Sequence, residues 1–158
     1  MRYAITGATG FVGGRVAGIL RDTGHEVSAL VRTPGRASAL RDRGVELVGG
    51  DLADDAALAR LLDGADGLFH VAGWYKIGTR HPAEGQRINV DGTQNVLAAA
   101  QQAGTPKIVY TSTLAVNSDT NGAVRDEDYR FTGKHLSAYD ATKAEAHRIA
   151  QLSAHVAC

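Results

Sequence analysis

A glycine-rich turn near the start of the chain restricts the possible folds more than any other feature of this sequence. A short apolar run, residues 3–6, leads directly into Gly7, Gly10 and Gly13, and a helical pattern follows. Glycines at this spacing permit a tight turn, a close approach of the backbone to a ligand and close packing of the helix on the strand. The helix start offers free N–H groups that bind phosphate. The order of strand, turn and helix predicts a dinucleotide-binding fold, although such a turn also serves as a plain connection.

The rest of the chain repeats the alternation of β-rich and helical segments. We predict strands at residues 3–6, 26–31, 45–48, 67–72 and 107–112, and helices that start near Phe11, Arg36, Asp54, Glu84 and Ser137. Most of these strands are too uniformly apolar for a sheet with one solvated face. Gly24, Gly44, Gly64 and Gly104 stand where the helices would stop. The pattern predicts one α/β Rossmann-type domain over residues 1–158. Its doubly wound parallel sheet would have about five strands in the order 3-2-1-4-5, with helices on both faces.

The composition favours small-molecule chemistry over binding to a polyanion. The 158 residues include 17 Lys+Arg and 17 Asp+Glu, so the formal net charge is zero. Without a basic surplus we expect no nucleic-acid or membrane binding by bulk electrostatics. The longest apolar runs are far shorter than the roughly 20 residues of a membrane helix. The glycine turn also begins too early for a preceding signal peptide. We therefore expect a cytoplasmic protein.

Neither cysteine nor histidine spacing indicates a metal site or a disulfide. Cys158 is the only cysteine of the sequence, so it has no partner for an internal disulfide. The histidines show no HExxH or other ligand spacing, and we predict no metal. His70 is expected to be a packed side chain, because a tyrosine described next already supplies an acid.

Tyr139 and Lys143 form the second strong signal. They stand four residues apart in a helical pattern, so they project from one helix face. A neighbouring ammonium favours the phenolate form of tyrosine, which helps it to exchange a proton with an alcohol or a carbonyl oxygen. The alternative is a solvated helix surface, where tyrosine and lysine often recur at this spacing.

These motifs resemble those of the extended short-chain dehydrogenase/reductase superfamily. More closely, the sequence is similar to its NAD-dependent epimerase/dehydratase family, which includes dihydroflavonol-reductase-like enzymes. Residues 6–13 match the family's TGxxGxxG motif, and Tyr139 to Lys143 matches its YxxxK motif. Residues 69–73 resemble an HxAA segment with glycine in place of the second alanine, and residues 89–93 resemble an NxxGT segment.

The resemblance implies a set of cofactor-binding residues. The glycine turn would bind the pyrophosphate, Asp51 and Leu52 would hold the adenine, and Lys143 would hold the nicotinamide ribose beside Tyr139. The alternative for Asp51 is that it caps the helix that Asp54 introduces. The implied cofactor-binding set is Gly7, Thr9, Gly10, Phe11, Val12, Gly13, Asp51, Leu52, Ala72, Gly73, Asn89, Tyr139 and Lys143.

The resemblance also implies a hydroxyl that bonds the substrate oxygen at the end of the fifth strand. The family's second hydroxyl falls on Thr113, where serine is more usual, and Ser112 stands directly before it. Which of the two serves stays open, and both would otherwise only satisfy backbone groups at the strand end. With Tyr139 and Lys143, they complete the predicted catalytic set.

The expected cofactor is NADP(H), with NAD(H) as the alternative. At the end of the second strand, where an acid would hold the ribose 2′-hydroxyl, the sequence has Arg32 and Arg36 and no carboxylate. Two guanidinium groups suit a 2′-phosphate. The opposite interpretation is that both arginines are solvated loop residues.

We therefore expect an NADP(H)-dependent oxidoreductase that transfers hydride between nicotinamide and a carbonyl or alcohol substrate, with Tyr139 as acid/base. An NAD-dependent sugar-nucleotide epimerase/dehydratase and a non-catalytic nucleotide-binding module are the alternatives. The second alternative arises because family members are about twice as long. The substrate domain and the strand after the tyrosine helix are therefore expected to be missing. Two long loops, residues 74–82 and 117–134, are expected to face the site. Trp74, Tyr75, Lys76 and Ile77 would form a wall for a bulky or sugar-like substrate, or equally a hydrophobic lid or a packing patch. Pairing of the helices at residues 84–103 and 137–154 would give a homodimer.

Overall fold

The computed structural model describes residues 1–75, 82–126, 128–153 and 156–157, and the strands of its parallel sheet lie in the first, second and fourth of these segments. The strands are β1 Arg2–Thr6, β2 Glu26–Val31, β3 Glu46–Gly49, β4 Gly67–His70, β5 Ile108–Tyr110 and β6 Val156–Ala157. They pair in the order β3-β2-β1-β4-β5-β6, and every pair is parallel. The predicted order of the first five strands is confirmed. The expected absence of the next strand is wrong, because Val156 pairs with Ile108 and Ala157 with Val109.

Helices connect the strands as predicted. They are α1 Phe11–Asp22, α2 Ser38–Asp42, α3 Asp55–Leu62, α4 Pro82–Gly85, α5 Gly92–Gln102 and α6 Ala138–Leu152, with 3₁₀ turns at Pro34–Arg36 and Leu114–Asn117. A π-helical segment, Gln86–Asp91, joins α4 to α5. Asp54 and Ser137 cap α3 and α6 by accepting hydrogen bonds from Ala57 N and Asp140 N. Each predicted glycine stop lies two residues beyond a helix, with φ values of 81°, 77°, 63° and 67° for Gly24, Gly44, Gly64 and Gly104.

The core consists of two apolar layers, one on each face of the sheet. Ala4 and Leu30 belong to the layer beneath α3, α5 and α6, whereas Ile5 and Ala29 belong to the layer beneath α1 and α2. Neighbouring residues of one strand therefore pack into different layers, as the period of two requires. Helices on both faces are confirmed, and the fold is a doubly wound Rossmann-type sheet.

The strands β4 and β5 are shorter than predicted, and this difference shapes the site. Residues 67–72 and 107–112 were the expected strands, but regular pairing ends at His70 and Tyr110. The neighbouring strand β1 ends at Thr6 and turns away at Gly7, so the next residues of β4 lose their ladder partner. Residues 71–73 and 111–113 therefore continue as irregular backbone at the carboxyl edge of the sheet.

Several sequence expectations fall outside the described residues. These concern Lys76 and Ile77 in the first long loop and Cys158 at the end of the sequence. None of the helices in the described part of the chain is both long and apolar enough to cross a membrane.

Candidate nucleotide-binding and active site

A cavity of about 680 Å³ lies at the carboxyl edge of the sheet, between the glycine turn and α6. Its size is within the range of roughly 300–1,000 Å³ for ligand sites. We call it the first cavity. Of the predicted site residues, it is lined by Gly7, Thr9, Gly10, Phe11, Val12, Gly13, Arg32, Asp51, Leu52, Ala72, Gly73, Ser112, Tyr139 and Lys143. Arg36, Asn89 and Thr113 are not among the residues that line it.

The glycine turn is built so that side chains are sterically excluded. Gly7 has φ of +75°, and a Cβ there would lie 2.6 Å from the Ala72 nitrogen. A Cβ on Gly13 would collide with the Gly7 carbonyl group. Helix α1, which starts here, has no side-chain cap and no acidic residue in its first turn. Its first N–H groups and positive dipole end are therefore available to an anion, as a pyrophosphate site requires.

Charged residues of both signs also line the first cavity. Arg32 is exposed and contributes to the wall, whereas Arg36 is exposed in the 3₁₀ turn outside it. The Asp51 carboxylate accepts a hydrogen bond from Ala53 N at 2.8 Å and lies 3.5 Å from the Arg87 guanidinium. The helix cap that was the alternative role for Asp51 belongs to Asp54. Arg87 is a cavity residue that our sequence reasoning missed.

Tyr139 lies in the first turn of α6, two residues after the Ser137 cap. Its ring meets the ring of Tyr75 edge to face, with centroids 4.8 Å apart. Both tyrosines line the first cavity, and Tyr75 is 66% exposed. Tyr139 is thus held from one side by an aromatic neighbour while it faces the space that a ligand would fill.

Lys143 lies one turn further along α6 and is buried, with 5% of its surface exposed. Its ammonium donates hydrogen bonds of 2.7 Å to the Tyr110 hydroxyl and of 2.7 Å to the Thr111 carbonyl oxygen. A buried charge is costly unless such partners compensate it. These two oxygens therefore explain how β5 holds a lysine beside Tyr139. The sequence motif did not reveal either partner.

The two candidate hydroxyls after β5 have different surroundings. The Ser112 hydroxyl lies 2.8 Å from the His147 Nδ1 atom and lines the first cavity. The Thr113 hydroxyl accepts a hydrogen bond of 3.3 Å from Ala115 N, as the cap of the following 3₁₀ turn. Burial, together with the charges of Arg130 and Lys143, lowers the pKa of His147.

His70 is fully buried beneath the glycine turn. Its Nδ1 lies 2.6 Å from the Thr6 hydroxyl and its Nε2 lies 3.0 Å from the Thr93 hydroxyl. The Thr6 hydroxyl also accepts a hydrogen bond from Ala72 N. Burial, assisted by the charge of Lys143, lowers the pKa of His70 from 6.5 to about 3. His70 is therefore a neutral, packed side chain that ties the end of β1 to the residues after β4.

Asn89 lies behind the wall of the first cavity. From the π-helical segment, its side-chain oxygen accepts a hydrogen bond of 2.7 Å from Trp74 N, and its amide donates to Trp74 O at 3.1 Å and to the Thr142 hydroxyl at 3.0 Å. The Trp74 indole N–H donates to Glu84 at 3.0 Å. Asn89 therefore fixes the chain after β4 against α6, one residue before Tyr75.

Residues 3–156 match the profile described as the NAD dependent epimerase/dehydratase family. The chain belongs to the NAD-dependent epimerase/dehydratase family. It is 38% identical over 143 residues to a Synechocystis sp. protein that carries the name of a dihydroflavonol 4-reductase. That match covers 89% of this chain and 41% of the relative. A 3 beta-hydroxysteroid dehydrogenase/Delta 5→4-isomerase of Mycobacterium tuberculosis is 34% identical over 154 residues, covering 93% of this chain and 41% of that protein.

Solved structures of other proteins share the fold. The crystal structure of gox2253 superposes with a TM-score of 0.82 at 36% identity, covering 94% of this chain and 45% of that one. MoeE5 in complex with UDP-glucose and NAD superposes with a TM-score of 0.77 at 30% identity. The match covers 94% of this chain and 48% of the MoeE5 chain. This chain thus spans about two fifths of the curated relatives' length.

The site residues that our sequence reasoning missed contact partners that lie far from them in the sequence. Tyr110 and Thr111 reach Lys143 across more than thirty positions, and Arg87 reaches Asp51 across thirty-six. His147 has a detectable signal, since it stands four residues after Lys143 on the same helix face. Within the described residues, no group of three or more His, Cys, Asp or Glu side chains is arranged to hold a metal ion.

Proposed function

We propose that this chain forms the dinucleotide-binding part of an NADP(H)-dependent oxidoreductase in which Tyr139 exchanges a proton with the substrate oxygen. The single observation that carries the proposal is the continuity of the first cavity. One wall is the glycine turn, and the opposite wall carries Tyr139 and Lys143. A dinucleotide that fills this space would place its phosphates at the glycine turn and its nicotinamide ring beside Tyr139 and Lys143.

The residues of the first cavity fit a dinucleotide. Side chains on Gly7 or Gly13 would collide with neighbouring backbone, so the turn leaves its backbone open to a pyrophosphate. Asp51 and Leu52 would hold the adenine, and Lys143 would hold the nicotinamide ribose. When bound, the reduced nicotinamide supplies a hydride.

Tyr139 would give its hydroxyl proton to the substrate oxygen as that oxygen gains electrons, and take it back in the reverse reaction. The buried ammonium of Lys143 keeps a positive charge one helix turn away, which favours the phenolate that this transfer leaves. A hydroxyl from the end of β5 would donate to the same oxygen. Tyr75, which packs against Tyr139, would exclude water from the reacting groups.

Preference for NADP(H) is supported by Arg32. Arg32 lines the first cavity directly after β2, and residues 30–36 contain no carboxylate that would compete for a ribose hydroxyl there. A 2′-phosphate would bond this guanidinium with charge assistance. Arg36, exposed four residues later, would add to the positive potential although it does not line the cavity.

The substrate proposed is a bulky, ring-containing carbonyl compound. Tyr75 gives the first cavity an exposed aromatic surface beside Tyr139, and the named activities of the relatives concern dihydroflavonols and hydroxysteroids. The second candidate is an NAD-dependent enzyme acting on a sugar nucleotide. It is favoured by the bound UDP-glucose and NAD of MoeE5, which is 30% identical to this chain.

The test is a fluorescence titration of the 158-residue chain with NADPH and with NADH. Arg32→Asp should weaken NADPH binding by roughly 10- to 100-fold, because a charge-assisted bond contributes about 1.5–3 kcal/mol. NADH binding should change far less. Arg15→Asp is the matched control, since Arg15 is exposed on α1 and does not line the first cavity. A wild-type preference for NADH would favour the sugar-nucleotide candidate, and no binding of either nucleotide would refute the proposal.

Turnover is followed as NADPH consumption with a dihydroflavonol and with a 3-oxosteroid. Tyr139→Phe should retain NADPH binding and lose consumption, because phenylalanine keeps the ring and removes the exchangeable proton. If the wild type consumes NADPH and Tyr139→Phe consumes it equally fast, another group supplies the proton.

A further inference from the structure

Arg87 lines the first cavity, and the function proposed above gives it no role. It stands in the π-helical segment Gln86–Asp91, and segments of this kind occur frequently at functional sites. The Arg87 guanidinium lies 3.5 Å from the carboxylate of Asp51, which follows β3 and lines the same cavity. The wall of the first cavity therefore contains a cation directly beside an anion.

The strand order places this pair where the base of a dinucleotide would lie. The sheet runs β3-β2-β1-β4-β5, with the glycine turn after β1, Arg32 after β2 and Asp51 after β3. Neighbouring strands are about 4.8 Å apart, so β3 lies roughly 10 Å from β1 and roughly 19 Å from β5. A dinucleotide with its pyrophosphate on the glycine turn and its nicotinamide beside Tyr139 would extend its other nucleoside toward β2 and β3. Its ribose would then lie near Arg32 and its adenine near Asp51.

The loop after β3 is fixed by contacts other than the ion pair. The Asn95 amide donates a hydrogen bond of 3.0 Å to Leu52 O. The Leu52 side chain packs closely on the start of α5, where a Cβ on Gly92 would lie 2.7 Å from a Leu52 methyl group. Asp51 is therefore held next to the π-helical segment that carries Arg87, and a ligand would meet the two groups already side by side.

The pair offers a hydrogen-bond acceptor beside a hydrogen-bond donor. One Asp51 oxygen accepts from Ala53 N at 2.8 Å, and the other lies 3.5 Å from the Arg87 nitrogen. This distance exceeds the about 2.7–3.2 Å of a usual N–H···O bond, so both groups keep capacity for a ligand. Adenine has the complementary order, an exocyclic amine that donates beside a ring nitrogen that accepts. Hypoxanthine has an oxygen in place of the amine, and that oxygen would face the carboxylate.

We propose that Arg87 is a specificity-determining residue that recognises the adenine base together with Asp51. The carboxylate would accept a hydrogen bond from the exocyclic amine, and the guanidinium would donate one to a ring nitrogen that flanks the amine. This inference rests on the function proposed above and adds to it a selection for adenine over hypoxanthine. Arg32 would act on the 2′-phosphate, so the two arginines select different parts of one nucleotide.

The test measures the binding of 5′-AMP and 5′-IMP to the 158-residue chain by isothermal titration calorimetry. Both probes lack a 2′-phosphate and a nicotinamide, and they differ only in the base. The wild type should bind AMP at least about tenfold more tightly, because a site that bonds a polar group rejects an analogue that leaves its own groups unpaired. Equal affinities for AMP and IMP would overturn the proposal.

The variant Arg87→Met examines the donor. Methionine keeps an unbranched apolar side chain and removes every N–H group, so the affinity for AMP should fall roughly tenfold while that for IMP changes little. Arg60→Met is the matched control. Arg60 is exposed on α3, donates to Gly49 O at 3.3 Å and does not line the first cavity. An unchanged affinity for AMP in Arg87→Met, or an equal loss in the control, would contradict the assignment.

Two analogues of AMP separate a bond to the base from an indirect effect through Asp51. 1-Deaza-AMP and 7-deaza-AMP each lack one of the two ring nitrogens that flank the amine. One of them should bind the wild type roughly tenfold more weakly than AMP does, and should bind Arg87→Met as tightly as AMP does. If both analogues bind the wild type like AMP, or if Arg87→Met still discriminates against the weaker one, the guanidinium makes no bond to the base.

Titrations with whole cofactors distinguish this inference from the proposed function. Arg87→Met should weaken the binding of NADPH and of NADH by the same factor, because both contain adenine. A loss confined to NADPH would show that Arg87 binds the 2′-phosphate, and the role in base recognition would be wrong. A wild type that prefers AMP to IMP but NADH to NADPH would support the inference and refute the NADP(H) assignment. If neither AMP nor NADPH binds, both proposals are wrong.

Discussion

The buried histidine beneath the glycine turn should make the stability of this protein fall in mild acid. His70 has no exposed surface, and burial lowers its pKa from 6.5 to about 3. Below pH 6.5 the unfolded chain binds a proton at this residue and the folded chain does not. The protein therefore has its full free energy of unfolding, as far as His70 is concerned, above pH 6.5, and this free energy falls as the pH drops toward 3.

The size of the effect follows from the two pKa values. Between about pH 7.5 and about pH 5, protonation of unfolded His70 should reduce the free energy of unfolding by about 2 kcal/mol. In urea this corresponds to a fall in the unfolding midpoint of roughly 1 M, for a slope of about 1–3 kcal/mol per molar. The assay is urea unfolding followed by circular dichroism at both pH values.

The variant His70→Asn separates this effect from other titrations. Asparagine leaves the hydroxyls of Thr6 and Thr93 poorly paired, so the variant should be less stable at both pH values, by roughly 1–3 kcal/mol. It should also lose about 2 kcal/mol less than the wild type on acidification. His25→Asn is the control, because His25 is partly exposed and its ring meets the ring of Tyr3 edge to face. Equal losses in the wild type and His70→Asn would refute the reasoning.

Two further predictions concern the residues that hold the site together. Tyr110→Phe removes the hydroxyl that accepts a 2.7 Å hydrogen bond from the buried Lys143 ammonium. The free energy of unfolding, measured in urea, should fall by roughly 1–3 kcal/mol. A loss no larger than the scatter between measurements would mean that the Tyr110 hydroxyl is not needed to compensate the charge. Asn89→Ala removes both bonds to the Trp74 backbone, so the fluorescence of this single tryptophan should shift to the red as its indole becomes more hydrated. Asn95→Ala, whose amide bonds Leu52 O instead, should leave that emission unchanged, and equal shifts in both variants would contradict the assignment.

The parts of the fold that local sequence determines could be predicted. The glycine turn and the helix stops depend on a few neighbouring residues, and Gly7 and Gly24 both have the positive φ that glycine tolerates best. The strand order could be predicted because the parallel connections leave few topologies. The lengths of β4 and β5 could not, because a strand ends where its neighbour turns away and this is a property of the assembled sheet.

The parts of the candidate site that belong to a local sequence motif could be predicted. The residues of the glycine turn and the pair Tyr139 and Lys143 lie in one cavity, as their motifs imply. Long-range partners were not predictable, since nothing local in the sequence connects Lys143 to Tyr110. Ser112 lines this cavity and Thr113 does not, and that difference depends on the irregular backbone after β5, which no local pattern specifies.

The π-helical segment between α4 and α5 has a consequence for how this protein can vary in length. Successive residues of a helix are about 100° apart around its axis. Adding or removing one residue therefore rotates the part of the helix before that point by about 100° relative to the part after it. In Gln86–Asp91 the wide turns let Asn89 reach Trp74 and Thr142, while Val96 and Leu97 pack into the core. A single-residue deletion that a loop would absorb would here regularise the helix and swing Asn89 away from Trp74. This stretch therefore behaves as a fixed spacer, and working variants of the chain should conserve its number of residues even where their identities differ.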